Sequence, residues 1–460
     1  MCFNYIKETK EFCGVVAVWR NNGQPAAPLA HRGLFALQHR GEEAAGIATC
    51  SLDGELLHLK GRGLVAESLP TYRVKDLIGD RAVGHVRYST VNADRAENIQ
   101  PFIASTPYGR IAIAHNGNLK NSNELTNELE AEGALLSTTM DTELIVHLLA
   151  RSHAVNFADA LRAVAKRALG AYSLTLLCDG RVYGLRDALG IRPLVLGSLK
   201  DGWVIASETC ALDAMDAKFE REVRPGELIE IGPEGVKSID LLPKAKRLAP
   251  CVFELVYFSR PNSTIFGQSV YAARNRMGVE LARQDASESM RPDVVIPIPD
   301  SGNPAAIGYA HESGIPLEYG IIRSHYVGRT FILPDQDTRS HRLRLKLSII
   351  REIVTQKRVL LIDDSVVRGN TSRMIVAMVR EAGAREVWMR VASPPIAWPC
   401  YLGIDTPTRE ELIINREGSV DGVAQFLKCD NLRYLSIEAL ARAVNSNEHC
   451  YACMNGDYPV

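Results

Sequence analysis

Val359-Leu360-Leu361-Ile362-Asp363-Asp364-Ser365-Val366-Val367-Arg368-Gly369-Asn370-Thr371-Ser372 is the stretch from which the rest of this 460-residue chain can be read. Its apolar run, with Arg358 before it, has the length and composition of a strand buried on both faces. A helix is predicted from Thr371 to Ala382 behind it. Val294–Ile298 and Glu386–Val391 are similar short apolar runs alternating with helical patterns, which is the βαβ order of a parallel, doubly wound α/β sheet. Asp363 and Asp364 then stand at the C-terminal end of a parallel strand and point into the crevice where such sheets bind ligands. Gly369, Asn370, Thr371 and Ser372 offer backbone N–H groups and hydroxyls at a helix N-terminus, which is a phosphate cradle. A lone Asp-Asp before a Ser or Thr cap would be no more than an acidic turn; the whole string is more specific.

The chain upstream has a different rhythm. Gly14–Trp19, Arg110–Ala114, Ser173–Cys178, Arg181–Leu185, Trp203–Ser207 and Leu228–Ile231 read as short strands broken by turns such as Asp179-Gly180. Helical patterns lie between them at Pro28–Gln38, Leu119–Glu132, Thr142–Ser152 and Phe157–Arg167. Strands in succession with helices inserted in blocks argue for a layered α+β domain over residues 13–235, with the α/β domain over 236–460. Residues 332–344 read as a long polar loop of the sort that covers a site.

Composition narrows the function. Fifty-three Lys and Arg against 54 Asp and Glu give a net charge of −1, so no global basic field holds nucleic acid or anionic lipid. No apolar run reaches the ~18 residues of a membrane span, and residues 1–12 lack the hydrophobic core of an export signal. A cytoplasmic protein with mostly reduced cysteines is expected. Cys450 and Cys453 form a C-x-x-C pair suited to a metal, a cluster or a redox couple. Cys251 and Cys400, each following a Pro, are candidates for two further soft ligands. Cys50, Cys178 and Cys210 are expected to pack in a core.

Cys13-Gly14-Val15-Val16 starts the first apolar strand, and three segments give it context: His39-Arg40-Gly41, Gly84-His85-Val86-Arg87-Tyr88-Ser89-Thr90, and His115-Asn116-Gly117-Asn118-Leu119, with Asp141-Thr142-Glu143 capping a helix. Together these resemble the class II glutamine amidotransferase domain, an N-terminal-nucleophile (Ntn) hydrolase. The resemblance implies that residues 1–12 are a leader whose removal frees the α-amine of Cys13 as general base for its own thiol. An α-amine with a pKa of ~8 can do this near neutrality. It further implies an oxyanion hole from the Asn116 side chain and the Gly117 N–H, with Arg87 on the glutamine α-carboxylate and Asp141 on its α-ammonium. Glu42 and Asn92 depart from the family, which usually carries Gln and Gly there.

The string around Asp363 is similar to the phosphoribosyl diphosphate (PRPP) motif of type I phosphoribosyltransferases. The resemblance implies that Asp363 and Asp364 bind the ribose hydroxyls and Mg²⁺. Ser365, Arg368, Gly369, Asn370, Thr371 and Ser372 would then line the 5′-phosphate loop. Pro299-Asp300-Ser301-Gly302 matches the pyrophosphate-side turn, so Ser301 joins the metal site. Tyr326-Val327-Gly328-Arg329-Thr330 and Lys346 resemble the loop that closes over PRPP in one subgroup, which would bring Tyr326, Arg329 and Lys346 to the substrate. His325 and Asn370 stand where relatives usually carry Arg and Thr.

A glutaminase followed by this transferase resembles the glutamine phosphoribosylpyrophosphate amidotransferase family over nearly the whole chain. In the members with a leader, a [4Fe–4S] cluster is held at positions falling on Cys251, Cys400, Cys450 and Cys453, with no electron-transfer role in the reaction. The resemblance implies ammonia release from glutamine and displacement of pyrophosphate from PRPP to give 5-phosphoribosylamine, the first step of purine synthesis. It also implies purine nucleotide inhibitors and a homo-oligomer, a tetramer or dimer. The alternatives are a PRPP-binding sensor without chemistry and a relative with altered substrates.

Overall fold

The computed structural model describes residues 11–51, 54–89, 96–243, 245–286, 291–324, 345–404 and 406–460. Asn92, His325, Tyr326 and Arg329, and the polar loop expected at 332–344, lie outside them.

Strand alternation builds the first half. Along β1 (Glu11–Arg20), Val15, Ala17 and Trp19 enter one core while Val16 and Val18 enter another. β1 is hydrogen-bonded within a seven-stranded sheet that also holds β2 (Ala44–Cys50), β3 (Leu56–Arg62) and β4 (Arg81–Ser89). β5 (Phe102–Thr106), β6 (Gly109–Leu119), β7 (Gly170–Cys178) and β8 (Arg181–Arg186) belong to a six-stranded sheet. The first sheet is completed by β9 (Val195–Leu199), β10 (Gly202–Ala206) and β11 (Lys218–Glu222), and the second by β12 (Glu227–Gly232) and β13 (Gly235–Asp240). The second sheet therefore runs on to Asp240.

The two sheets face each other across a core that joins Val15 and Ala17 to Ala112, Ala114 and Ile205. The helix Ala27–Ala36 covers the outer face of the first sheet. Asp141–Ala150 and Phe157–Arg167 cover that of the second through Ile111, Ile113, Leu174 and Leu176. This is a four-layer helix–sheet–sheet–helix sandwich. The helix expected from Leu119 begins instead at Ser122, because β6 continues to Leu119, where it pairs with Gly170.

After a short hairpin, β14 (Thr264–Ile265) and β15 (Gln268–Ser269), the second half has a four-stranded parallel sheet. It contains β16 (Val294–Pro297) and, following the antiparallel pair β17 (Ile321–Arg323) and β18 (Leu347–Ile349), β19 (Arg358–Asp363), β20 (Glu386–Val391) and β21 (Asn431–Tyr434). The order is β16-β19-β20-β21, as the alternating apolar runs require. A further core crosses from the first half to the second, packing Ala171 and Ile191 with Val252, Leu255, Leu402 and Ile404.

Inside this half Arg390 is completely buried and paired with Asp285, which also accepts from Arg433 and from the Tyr309 hydroxyl. Removing the carboxylate strands a guanidinium in the core. Asp285→Ala is expected to lower unfolding stability by about 3–5 kcal/mol, read as a shift in the chemical-denaturation midpoint.

Candidate active sites

The same alternation that built the core sets the first site. Cys13 and Val15 on β1 are register partners of Arg87 and His85 on β4, so all four side chains share the inner face of the first sheet. On the facing sheet Ala112, Ala114 and therefore Asn116 point inward, while His115 points out toward the helix that Asp141 begins. Cys13, Arg87, Asn116 and His85 are all about 1% exposed or less. The His85 ring donates from Nε2 to the His115 carbonyl at 3.1 Å, joining the two sheets one residue from Asn116.

Asn116 has a buried side-chain nitrogen, Nδ2, with no hydrogen-bond partner. Such a donor is costly unless something else accepts from it. Beside it, Gly117 lies so close to the next strand that a Cβ would stand 2.0 Å from the Ala171 carbonyl oxygen. On its other side the 400–404 loop of the second half closes in, where a Cβ on Gly403 would stand 2.8 Å from the Gly117 carbonyl carbon. Asn118 Nδ2 also donates to the Tyr401 carbonyl at 3.0 Å.

Asp141 accepts from His115 Nδ1 (3.1 Å) and from the Leu119 N–H (2.8 Å). Burial pushes its carboxyl up, but the His115 contacts and backbone donors outweigh that and hold it below the ordinary range. A carboxylate has lone pairs for more than these two donors, so a substrate ammonium could still be accepted.

Arg40 was quoted above only as part of a motif, and the structure makes it the centre of a buried network. Its Nε donates to the Cys13 carbonyl at 2.9 Å, Nη1 to Glu208, and Nη1 and Nη2 to Glu254 at 3.0 and 2.6 Å. Glu254 also accepts from Arg192 at 3.0 Å and from the Ser259 hydroxyl at 2.8 Å, while Arg192 donates to the Leu402 carbonyl at 3.0 Å. Glu208 accepts from His39, from Ser263 and from the Arg260 N–H. All four charged residues are 0–1% exposed. Burial opposes the charge on both carboxyls, yet His39 and Arg40 hold Glu208, and Arg40 and Arg192 hold Glu254, below the ordinary carboxylate range. A lone Glu inside Cys251-Val252-Phe253-Glu254-Leu255-Val256 is the signal that would have found Glu254, since acids seldom sit in such a run unpaired.

At the second site Asp363 ends β19 and Asp364 follows it, both buried. Burial pushes both carboxyls above the ordinary range, and Asp363 rises further beside Asp364. Hydrogen bonds from Ser301 and Ser365 and the charge of Arg274 act the other way on Asp364. Ser372 Oγ lies 3.5 Å from Asp363. Gly369 has φ 75°, a left-handed conformation that favours glycine. The helix Asn370–Glu381 makes its first bond from the Arg373 N–H to the Gly369 carbonyl, which leaves the N–H groups of Asn370, Thr371 and Ser372 for a ligand. Arg368 is exposed and paired with Glu411 at 3.4 Å. The Lys346 carbonyl accepts from the Ser324 N–H at 2.8 Å.

Nine cysteines lie among the described residues and none forms a disulfide. Cys50, Cys178 and Cys210 are in the cores, as expected. Cys251 bridges to Cys450 across two short backbone segments, and Cys453 is within electrostatic reach of Cys251, Cys400 and Cys450. Burial pushes Cys251 up to about 11 and Cys450 up to about 12. Among the described residues no three His, Cys, Asp or Glu side chains are gathered to hold a single ion. Thiols are the soft donors that iron–sulfur clusters take, and Cys251, Cys400, Cys450 and Cys453 lie in one neighbourhood.

His85 is neutral and buried, its pKa lowered to about 3 by burial and then by Arg87. The unfolded chain binds that proton below pH ~6.5 and the folded chain does not, so the stability is complete above 6.5 and lost as pH falls toward 3. Between pH 6.5 and 5 unfolding stability should fall by up to about 1.4 kcal/mol per pH unit from this group. His85→Gln should flatten that slope when denaturation midpoints are compared at the two pH values.

A family model described as a glutamine amidotransferase domain matches residues 85–214. The chain is 47% identical to the chloroplastic amidophosphoribosyltransferase 1 of Arabidopsis thaliana over 99% of its own length and 80% of that protein's. It is 46% identical to the amidophosphoribosyltransferase of Archaeoglobus fulgidus, over 97% of this chain and 98% of the other. Among solved structures it resembles the Bacillus subtilis glutamine PRPP amidotransferase complexed with ADP and GMP, with a TM-score of 0.89, 42% identity and 97% coverage of both chains.

Proposed function

The chain belongs to the amidophosphoribosyltransferase family, and from that premise we propose how its own residues carry out glutamine-dependent transfer of ammonia to PRPP in purine biosynthesis. It is an enzyme, a glutamine-dependent pentosyltransferase, with an Ntn glutaminase fold followed by a type I phosphoribosyltransferase fold.

Removal of residues 1–12 leaves Cys13 as the N-terminus. Its α-amine takes the thiol proton, and the sulfur attacks the glutamine carboxamide carbon. Asn116 Nδ2 and the Gly117 N–H stabilise the oxyanion, and the amine returns the proton to departing ammonia. Water then cleaves the γ-glutamyl thioester to glutamate. Arg87 and Asp141 hold the two ends of the amino acid. The observation that carries this reading is the buried, unpartnered Nδ2 of Asn116, on the inner face of the second sheet, which packs against the inner face of the first that carries Cys13.

Ammonia then passes inside the protein to C1 of PRPP and displaces pyrophosphate, giving 5-phosphoribosylamine. Internal passage is supported by the seating of the 400–404 loop on Gly117 and Asn118. The N–H groups of Asn370–Ser372 take the 5′-phosphate, with Ser365, Arg368 and Gly369 shaping the loop. Asp363, Asp364 and Ser301 would hold Mg²⁺: two adjacent buried carboxyls with an added hydroxyl fit a hard dication, which when bound neutralises the leaving diphosphate. Lys346, with Tyr326 and Arg329, closes over the substrate and excludes water. Cys251, Cys400, Cys450 and Cys453 would hold a [4Fe–4S] cluster of structural role.

Purine nucleotides as inhibitors are supported by the ADP and GMP of the Bacillus subtilis complex. We extend the reading to a homo-oligomer in the cytoplasm. No helix among the described residues is long and apolar enough to cross a membrane.

Cys13→Ala should abolish glutamine-dependent phosphoribosylamine formation and keep the reaction driven by ammonium salts, whereas Asp364→Asn should lose both. Pyrophosphate release with each nitrogen source measures this. Retained glutamine dependence in the Cys13 variant would refute the nucleophile assignment. Intact mass of anaerobically purified protein should show loss of Met1 to Phe12 and gain of four irons and four sulfides. A full-length, iron-free and active enzyme would refute both the processing and the cluster.

A further inference from the structure

Glu254 belongs to the second half of the chain, yet its carboxylate is committed to the first. It opens a five-residue π-helix, Glu254–Phe258, a geometry that is rare and recurs at functional positions. Arg274 pins that segment by donating to the Leu255 carbonyl at 2.9 Å and to the Ser259 carbonyl at 2.7 Å. From this fixed base both Glu254 oxygens take the Arg40 guanidinium, which leaves Arg40 Nε for the carbonyl of Cys13. That carbonyl carbon is bonded to the α-carbon, which carries the amine and, through Cβ, the thiol of the proposed reaction.

We propose that Glu254 is a positioning residue of the glutaminase: acting through Arg40, the transferase half holds the backbone of the nucleophile. The inference rests on the nucleophile assigned above. Its physical basis is charge balance in a dry site. Arg40 and Arg192 face Glu208 and Glu254, two positive groups against two negative, all 0–1% exposed. With Glu254 neutral, Arg192 loses its charged partner and Arg40 keeps only Glu208, which already serves His39, Ser263 and the Arg260 N–H. The guanidinium then has reason to swing away from Cys13, and a nucleophile displaced by a fraction of an ångström reacts poorly while Arg87 and Asp141 still bind substrate.

The test uses the full-length processed enzyme and Glu254→Gln, which keeps the shape and removes the charge. Glutamine hydrolysis and ammonium-driven pyrophosphate release are measured side by side. The expected result is a fall in glutaminase kcat on the order of tenfold or more, with KM for glutamine and the ammonium-driven rate within about twofold of wild type. Ser259→Ala, which removes one donor from Glu254, should give a smaller loss with the same pattern, and it decides the matter if the Gln variant does not fold. Wild-type glutaminase kcat in these variants would overturn the proposal. Equal loss of both activities would also overturn it, since Glu254 would then serve the fold rather than the nucleophile. A wild-type enzyme that turns over ammonium but not glutamine would instead refute the nucleophile assignment, and this inference with it.

Discussion

Everything in this molecule is arranged around a buried quartet of charges, Arg40, Arg192, Glu208 and Glu254, at the seam between its two halves. Taking ions out of water is expensive, and such groups persist only where each finds a partner and the remaining hydrogen-bonding atoms are satisfied. The quartet meets that demand by recruiting from both halves: Glu254, Ser259 and Ser263 from one, and Arg40, Arg192 and Glu208 from the other. Neither half can bury its share alone without stranding a charge. The seam is therefore an obligate interface, and it lies directly behind β1, the strand that carries the proposed nucleophile Cys13.

The second constraint is steric. Gly117 and Gly403 meet backbone to backbone, with no room for a side chain on either. The turn that would donate to an oxyanion is thus the same surface on which the 400–404 loop rests. That loop includes Cys400, whose thiol accepts from the Leu402 N–H at 3.3 Å, and Leu402 in turn accepts from Arg192. The cysteine region, the oxyanion turn and the charge quartet are one packed unit. A glutaminase that feeds a reactive, volatile product to a neighbour benefits from such contact, because a gap at the seam would admit water and lose ammonia.

The transferase site shows the opposite economy. Its carboxylates are buried with little opposing charge: Arg274 acts on Asp364, while Asp363 gains another negative neighbour. A pair so placed is stable as charged groups only when a cation joins it. The first site is neutralised by residues the protein supplies, whereas the second has only Arg274 beside its two carboxyls, which favours the Mg²⁺ proposed there.

Local order was legible in the residues themselves. Apolar runs at 15–19, 294–297 and 359–362, and the Asp-Asp to Gly-Asn-Thr-Ser turn, each carry their structure within a few positions, because strand pleat and helix capping are short-range effects. Hence a layered α+β first half and a parallel sheet in the second could be read before any coordinates. Leu119 shows the limit even locally: its helix-like context yields to the pairing of β6 with β7. Arg40 and Glu254, 214 positions apart, show the larger one. Nothing near either residue says which carboxylate will meet which guanidinium, for that depends on how two finished domains dock. The strands and turns that carry the candidate residues were written in the chain; the charge balance that ties the first site to the other half arose only when the tertiary structure removed Arg40 and Glu254 from water.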